Sequence, residues 1–414
     1  MNKDFYINKR KKILDSVDDN SIVVLFSGKA PLRSADQNYR FTPNRNFYYL
    51  TGLERENFIL LISKRKNKIK ETLFIEKPNK ELEKWLGFKM RKDEANEISG
   101  IEDIKYVNSF NEFFNSIVSK NDFKNLYLDL ERRAFETKDT EAIKFSDKVV
   151  KRYPYLNINN LYNDLSLLRM IKSTEEIKEI QRAIAITKEG IKNLMKNSKP
   201  GIKEYQLEAY FDFTIKSLGA KENAFNTIAA SGKNATILHY EDNKGELKDN
   251  DLILFDLGVE HNYYCSDISR TFPVNGNFTK RQKDIYNLVL KAEIQTIKEA
   301  KPGLTLKELN EITKKILAEG CMKLGILNNE KEISKYYYHG VSHFLGLDTH
   351  DVGDYERKLE PGMVITVEPG LYIAEENIGI RIEDDILITE DGSKNLSENI
   401  IKTVEEIENF MGEA

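Results

Sequence analysis

Residues 251–272 read DLILFDLGVEHNYYCSDISRTF and consist of two apolar-rich runs on either side of His261 and Asn262. Such runs around a short polar pair predict a β-hairpin, and asparagine tolerates the positive φ of a tight turn. With His261 and Asn262 as the turn, Asp256 lies directly opposite Asp267. Both side chains then share one face of the sheet, with β-carbons about 5 Å apart. Two like charges this close are disfavoured unless one is protonated or a cation lies between them.

Two further carboxylates occur in apolar runs near the C-terminus. Glu368 follows the run VITV at 364–367, and the proline after it favours an extended backbone. Glu383 lies in GIRIEDDILI at 379–388, where strand alternation places it on the same face as Arg381. An isolated glutamate in a strand is usually exposed to solvent. The apolar surroundings of both glutamates favour a buried, functional position instead.

The C-terminal part also carries two similar turns. KPGIKE begins at Lys199 and KPGLTLKE begins at Lys301, and each turn follows one predicted helix and opens another. Each is then followed by predicted strands that bear a pair of isolated carboxylates. A Pro-Gly turn alone is common, but its agreement with the carboxylate positions predicts a degenerate internal duplication.

Three of the five histidines lie within HGVSHFLGLDTH at 339–350. A single histidine is more often structural than functional, but a cluster broken by glycines and flanked by aspartates is poorly suited to core packing. This cluster therefore predicts a functional site. His239, which ends a turn-rich stretch before the hairpin, is a further candidate. His261 is interpreted as a turn residue.

Four carboxylates and one imidazole would form an oxygen-rich ligand set. Such a set favours Mn²⁺, Co²⁺, Fe²⁺ or Mg²⁺ over the thiolate-bound zinc of structural sites. Four carboxylate charges also suit two divalent ions about 3.5–4 Å apart, bridged by hydroxide. A proton shared between the two aspartates is the alternative, but the additional candidate ligands favour metal binding.

The first 168 residues predict a separate domain. Strand-like runs at 21–27, 58–63, 72–75 and 125–128 alternate with polar helical segments near 79–89 and 139–152. This alternation predicts a small α/β domain. Ser173 and Glu176 then have the spacing of a capping box that opens a long helix. We expect an N-terminal domain at residues 1–168 and a second domain at residues 169–414.

Composition excludes several classes of protein. With 40% hydrophobic and 31% charged residues, the chain has ample apolar mass for a globular core and is not a disordered protein. Two cysteines cannot form a disulfide framework, and neither a signal peptide nor a long apolar run is evident, so we expect a cytoplasmic protein without membrane contact. The basic residues form no stripe with interleaved aromatics, which argues against nucleic-acid binding.

Taken together, these motifs resemble the pita-bread metallopeptidases of family M24, and within them the Xaa-Pro aminopeptidases (aminopeptidase P). The matching segments are LFDLG (254–258), SDISRTFP (266–273), HGVSHFLGLDTHDVG (339–353), VEPGLYI (367–373) and GIRIEDDILIT (379–389). RSADQNYRFTPNRNFYYLTG at 33–52 is similar to the creatinase-like N-terminal domain of the family. The resemblance covers nearly the whole chain. It implies an α+β protein in which a C-terminal pita-bread (creatinase/aminopeptidase) domain follows an N-terminal α/β creatinase-like domain.

The resemblance also implies the composition of the site. Two divalent ions would be held by five ligands: Asp256, Asp267, His343, Glu368 and Glu383. Mn²⁺ is the first expectation, with Co²⁺, Fe²⁺ or Zn²⁺ as alternatives. The other catalytic and substrate-binding positions would be His239, His339, His350 and Arg381.

For activity, the resemblance implies a metalloaminopeptidase, a hydrolase that cleaves the first peptide bond when proline is the second residue. A metal-bridging hydroxide would attack the scissile carbonyl, and Glu368 would shuttle the proton toward the leaving nitrogen. His239 and His350 would contact the carbonyl region, with His339 lining the leaving-side pocket. Arg381 would order the carboxylates. A prolidase acting on Xaa-Pro dipeptides and a catalytically silent, peptidase-like binding module are the alternatives.

Trp85, the only tryptophan, has two interpretations. Its charged flanks and helical spacing are typical of an amphipathic helix that packs one aromatic side chain inward. The segment around Gly87 also resembles a family segment that reaches from the N-terminal domain of one subunit into the site of its partner. The second interpretation implies a homodimer or homotetramer in which Trp85 binds substrate.

Overall fold

A computed structural model describes residues 1–413. The chain divides into two compact units, Met1–Leu168 and a second unit that begins at Arg169. Within the described residues, no helix has the length and apolar character that crossing a membrane requires.

The first unit is a sheet with helices. Its strands are β1 (Ser21–Phe26), β2 (Leu32–Ser34), β3 (Gln37–Asn38), β4 (Ile59–Arg65), β5 (Lys68–Ile75), β6 (Asp103–Tyr106), β7 (Asn125–Leu128) and β8 (Asn157–Asn160). Its helices are α1 (Lys3–Asp15), α2 (Arg45–Thr51), α3 (Lys80–Leu86), α4 (Lys92–Ser99), α5 (Phe110–Lys120) and α6 (Glu141–Arg152), and α7 (Tyr162–Met170) includes the position at which the units divide. Six strands form one mixed sheet in the order β6-β5-β4-β1-β7-β8, and β2 pairs with β3.

The predicted elements of this unit are present in the structure. β1, β4, β5 and β7 coincide with the four strand-like runs, and α3 and α6 coincide with the two helical segments. Helix α5 was not predicted, although Phe110, Phe114 and Val118 recur at every fourth position and form its buried face. These three side chains belong to the main apolar cluster of the unit.

The second unit carries the remaining elements. Its helices are α8 (Thr174–Asn197), α9 (Glu204–Ser217), α10 (Lys280–Glu299), α11 (Leu306–Lys323) and α12 (Val404–Gly412), with 3-10 turns at Val107–Ser109 in the first unit and at Gly232–Thr236, Glu330–Lys335 and Ala374–Glu376 in the second. Its strands are β9 (Ile228–Ser231), β10 (Leu252–Leu257), β11 (Glu260–His261), β12 (Tyr264–Cys265), β13 (Ile268–Pro273), β14 (Val364–Val367), β15 (Gly370–Ile373), β16 (Ile378–Arg381), β17 (Asp384–Ile388) and β18 (Ser393–Asn395). The sheets have the orders β13-β10-β9 and β14-β17-β18, with the ribbons β11-β12 and β15-β16.

The long helix α8 begins as predicted. Ser173 caps it, and its backbone N–H donates to the Glu176 carboxylate at 2.9 Å while its hydroxyl accepts from the Glu176 N–H. Glu176 also accepts a hydrogen bond from the hydroxyl of Tyr264 at 3.0 Å, which ties the start of the helix to the central hairpin. The helix start therefore helps to fix the hairpin that carries the first two carboxylates.

The two Pro-Gly turns are structurally equivalent. The N–H of Gly201 donates to the carbonyl of Leu247 at 2.8 Å, and that of Gly303 donates to the carbonyl of Leu359 at 2.9 Å. In each case the leucine N–H returns a hydrogen bond to the residue after the glycine, at 2.8 and 2.7 Å. Both glycines have a positive φ, +89° and +94°, which a residue with a β-carbon rarely adopts. The two halves therefore use the same turn to connect one helix to the next.

The central hairpin differs from the prediction in its register. Its turn residues are Asn262 and Tyr263, with φ of 48° and 66°, and Asp256 pairs with Ser269. The predicted turn at His261 was wrong by one residue, which shifts every pairing by two. The turn moves because His261 and Asn262 both hydrogen-bond the carboxylate of Glu179, at 2.7 and 3.0 Å. A shift of two residues keeps the pleat parity, so the two carboxylates remain on one face, on a diagonal.

The crossing of α8 and α9 generates a prediction about packing. A β-carbon on Gly190 would lie 2.4 Å from the ring of Phe211, which is fully buried. Gly190→Ala should therefore lower the free energy of unfolding by about 1–3 kcal/mol, despite a gain in helix propensity of up to about 1 kcal/mol. Urea denaturation measures this, with Gly392→Ala as the matched control because its added methyl meets no atom within 4 Å. Equal stability of the two variants would show that α9 yields at this contact.

Candidate metal centre

A cavity of about 260 Å³ in the second unit gathers the candidate residues of that unit. Its lining residues are Leu238, His239, Asp256, Asp267, His339, Gly340, Ser342, His343, His350, Glu368, Arg381 and Glu383. They come from separate segments of β-structure and loop, so only the folded chain brings them together. Trp85 belongs to α3 of the first unit and does not line this cavity.

The carboxylates lie at strands or strand ends. Asp256 is near the end of β10, Asp267 directly precedes β13, and Glu368 directly follows β14. Glu383 lies in the link between β16 and β17 rather than in one strand with Arg381, which corrects the predicted strand alternation. The chain changes sheets at this link, because β16 pairs with β15 while β17 pairs with β14.

His343 presents one ring nitrogen to the carboxylates. Its Nδ1 lies 3.0 Å from the carbonyl oxygen of Phe344, so Nδ1 carries the proton and donates it. Its Nε2 then faces Asp267 at 3.3 Å and Glu368 at 3.7 Å with a lone pair. Potential ligand atoms of Asp267, His343 and Glu383 all lie within 4.8 Å of one another. An imidazole held in this tautomer by a backbone carbonyl is the usual arrangement of a metal-binding histidine.

Electrostatics also favour a cation here. Burial raises the pKa of Asp267 and of Glu383 well above the usual range, and neighbouring carboxylates raise it further. Burial raises the pKa of Glu368 to about 7, although His343 and Arg381 oppose this. Oδ1 of Asp256 is buried and has no hydrogen-bond partner among residues 1–413. These residues therefore fit divalent ions, which would supply the missing charge and occupy the unpaired oxygen.

Arg381 links the carboxylates to the wall of the cavity. Its guanidinium donates to Asp256 at 2.6 Å, to the hydroxyl of Ser269 at 2.8 Å and to the hydroxyl of Tyr372 at 3.0 Å. The Ser269 hydroxyl donates in turn to Glu383 at 2.7 Å. One arginine thus fixes two candidate ligands, one directly and one through a serine.

Ser269 and Tyr372 were not identified from the sequence, although both lie in motifs that were. The hydroxyl of Tyr372 donates to Nε2 of His339 at 2.8 Å, and Nδ1 of His339 donates to the carbonyl of Gly340 at 2.7 Å. Burial and, to a smaller extent, the charge of Arg381 lower the pKa of His339 to about 4. His339 is therefore neutral near pH 7, with both ring nitrogens engaged. The signal for Ser269 was present in principle, because the correct hairpin register pairs it with Asp256.

His350 packs against His343, and a buried ion cluster lies next to it in the sequence. The two rings meet edge to face, with centroids 4.3 Å apart. The adjacent Asp351 binds Lys172 at 3.0 Å and also pairs with Arg169, and all three side chains are buried. Burial favours the neutral acid, but these two cations hold the pKa of Asp351 below its usual value. Asp351 thus anchors the loop that carries His350 and does not line the cavity.

Three other candidates are at least partly exposed to solvent. His239 is exposed at the rim of the cavity. His261 is outside the cavity, bound to Glu179 as a strand residue rather than a turn residue. Trp85 is 86% exposed, so the interpretation of Trp85 as a core residue was wrong. It shares an exposed apolar segment with Leu82, Leu86 and Phe88.

Comparisons with known proteins give matches over both units. The family model "Metallopeptidase family M24" matches residues 178–390, and "Aminopeptidase P, N-terminal domain" matches residues 6–127. The Xaa-Pro aminopeptidase of Escherichia coli (strain K12) is 34% identical over 97% of this chain and 96% of its own length.

Solved structures match over the same extent. A proposed aminopeptidase P from Bacillus anthracis is 53% identical with a TM-score of 0.98, and aminopeptidase P from E. coli with the inhibitor Pro-Leu is 34% identical with a TM-score of 0.92. Each covers 100% of this chain and 99% of the solved chain. The matches confirm the predicted α+β fold, an N-terminal aminopeptidase P domain followed by a pita-bread domain.

The raised pKa of Glu368 predicts a pH dependence in metal-free protein. Its ordinary pKa is 4.5 and its folded-state pKa is about 7, so between these values the folded protein holds a proton that the unfolded chain releases. The contribution of this group to stability therefore falls as pH rises from about 4.5 to about 7. Glu368→Gln removes the contribution, so the variant should gain stability relative to the parent as pH rises.

Urea denaturation of chelator-treated protein between pH 5 and 7.5 measures the difference. Glu398→Gln, an exposed glutamate of the same unit, is the control. A difference between Glu368→Gln and the parent that stays constant with pH would contradict the assigned protonation.

Proposed function

This chain belongs to metallopeptidase family M24, and we propose that it is an Xaa-Pro aminopeptidase, which removes the first residue of peptides with proline in the second position. It is a hydrolase and a metallo-aminopeptidase. One observation carries the proposal of substrate: the similarity to the E. coli Xaa-Pro aminopeptidase extends through both units, including the N-terminal domain.

We propose that the divalent ions are held by Asp256, Asp267, His343, Glu368 and Glu383. Mn²⁺ is the first expectation because the set is rich in carboxylate oxygen, with Co²⁺, Fe²⁺ or Zn²⁺ as alternatives. When bound, a pair of such ions would supply a hydroxide nucleophile at neutral pH.

The residues of the chain would manage protons and position the substrate. Glu368 is proposed as the proton shuttle, since it lines the cavity beside His343 and its carboxylate can accept a proton and pass it on. His239 and His350 are proposed to contact the substrate carbonyl and to stabilise its developing negative charge. His339 would line the leaving-side pocket through its ring, because both of its nitrogens are already hydrogen-bonded. Arg381 is proposed as a positioning residue for Asp256.

The alternatives are less well supported. A prolidase would act on the dipeptide, but the relatives from E. coli and Haemophilus influenzae, which align over almost the whole chain, carry the name Xaa-Pro aminopeptidase. A silent binding module would be expected to have lost ligands, whereas all five candidate ligand residues line one cavity here.

Two further proposals concern the setting of the enzyme. We propose a cytoplasmic location, supported by two cysteines that form no disulfide bond with each other within residues 1–413. We also propose a homodimer or homotetramer, because the exposed apolar segment around Trp85 suits burial against a second copy of this chain.

The substrate proposal is tested with a panel of peptides. Mn²⁺-loaded protein should cleave Xaa-Pro-Yaa at least tenfold faster than Xaa-Ala-Yaa or the dipeptide Xaa-Pro, as measured by release of the free first residue. Chelator-treated protein is the control and should be inactive until metal is restored. Preference for the dipeptide would identify a prolidase, and inactivity of metal-loaded protein toward every peptide would refute a peptidase function.

Trp85 is tested separately. Trp85→Ala should lower kcat/KM about tenfold while leaving the metal content and melting temperature nearly unchanged, because an exposed side chain contributes little to the fold. Phe213→Ala, another exposed aromatic residue at 70% exposure, is the matched control and should retain activity. Unchanged activity of Trp85→Ala would limit the N-terminal unit to a structural role.

A further inference from the structure

Glu204, the first residue of α9, is a fully buried carboxylate. Five donors converge on it. Oε1 accepts from the N–H and the hydroxyl of Ser231, both at 2.7 Å, and from the side-chain amide of Asn234 at 3.0 Å. Oε2 accepts from the hydroxyl of Tyr240 at 2.9 Å and from the N–H of Gly245 at 2.6 Å. This one side chain therefore accepts hydrogen bonds from four residues.

The four donor residues flank His239 on both sides. Ser231 and Asn234 precede it, and Tyr240 and Gly245 follow it. Residues 231–245, the rim loop, begin at the last residue of β9 and then contain one short 3-10 turn and otherwise irregular backbone. A single carboxylate thus closes this loop at both ends. The loop backbone approaches Glu204 closely, because a β-carbon at Gly245 would lie 2.6 Å from Oε1 of Glu204.

The rim loop has further links: the side chain of Asn243, near its end, hydrogen-bonds Glu208, Thr227 and Ala229, and another bond holds its middle. The hydroxyl of Tyr338 donates to the carbonyl of Thr236 at 2.7 Å. Tyr338 is adjacent to His339, which lines the cavity, so this bond ties the loop to the segment that carries His339. Loss of the Glu204 contacts would therefore loosen the loop at its ends without releasing it altogether.

We propose that Glu204 is a positioning residue for His239: it holds the rim loop so that the exposed imidazole reaches the substrate carbonyl. The inference rests on the proposed function, in which His239 contacts that carbonyl. A carboxylate suits this task because it accepts hydrogen bonds only, and charge-assisted bonds are about twice as strong as neutral ones. Glutamine has nearly the same shape, but its NH2 group is itself a donor. It would face the N–H of Ser231 or of Gly245, and neither pair could form a hydrogen bond. Exact placement of a group that acts in the transition state affects kcat more than KM.

The test is a double-mutant cycle on Mn²⁺-loaded enzyme with an Xaa-Pro-Yaa peptide. Glu204→Gln should lower kcat about tenfold, change KM less than twofold and leave the metal content unchanged. In the His239→Ala background the same substitution should lower kcat less than twofold, because the group that it positions is gone. Tyr240→Phe removes one of the five donors and should give a smaller loss of about threefold, again absent in the His239→Ala background. This milder variant decides the question if Glu204→Gln folds poorly.

Glu246→Gln is the matched control, since Glu246 belongs to the same region and has an exposed ion pair with Lys203. It should retain full activity. Equal losses in both backgrounds, or no loss for Glu204→Gln and Tyr240→Phe, would overturn the inference, and so would full activity of His239→Ala.

Hydrogen exchange separates this inference from the proposed function. The amides of residues 232–244 should exchange at least tenfold faster in Glu204→Gln than in the parent, whereas those of β10 should not. If the parent protein lacks peptidase activity, the proposed function fails, and exchange alone decides whether Glu204 holds the loop. Unchanged exchange in the rim loop would overturn the inference whatever the activity.

Discussion

The structure depends on the convergence of like charges. Asp256, Asp267, Glu368 and Glu383 line one small cavity, and the single arginine among them offsets only part of their charge. Carboxylates cannot all be ionised in such a place without cations, which is why burial raises the pKa of three of them. One divalent ion would leave net negative charge in the cavity, whereas two would more than offset it. A pair of ions that also held one hydroxide would bring the sum of these charges to zero, so the charge balance favours a pair.

The fold supplies this cluster by using a simple plan twice. Each half of the second unit runs from a helix through a Pro-Gly turn into another helix and then into a small sheet that carries two of the carboxylates. The ligand positions are then fixed by groups that do not bind metal: Ser269 and Arg381 hold the carboxylates, and Phe344 sets the tautomer of His343. Buried charges behind the site serve the histidine loops in the same way, Asp351 beside His350 and Glu204 below the rim loop.

Much of the cavity could be predicted from the sequence, because parity along a strand survives an error in register. The two aspartates were placed on one face although their predicted pairing was wrong by two residues, since Asn262 and Tyr263 form the turn rather than His261 and Asn262. What could not be predicted depends on distant partners. Glu204 has no local signal, because its donors lie 27 to 41 residues away. The link that carries Glu383 was read as a strand, because alternation does not reveal a change of sheet.

The central claim is that the buried carboxylates are built around two cations. Calorimetric titration of Mn²⁺ into chelator-treated protein at pH 6, in buffers of different ionisation enthalpy, tests it most directly. We expect two ions per chain and release of protons on binding, because carboxyl groups with raised pKa must ionise to become ligands. Binding of a single ion or none, or binding without proton release, would contradict it.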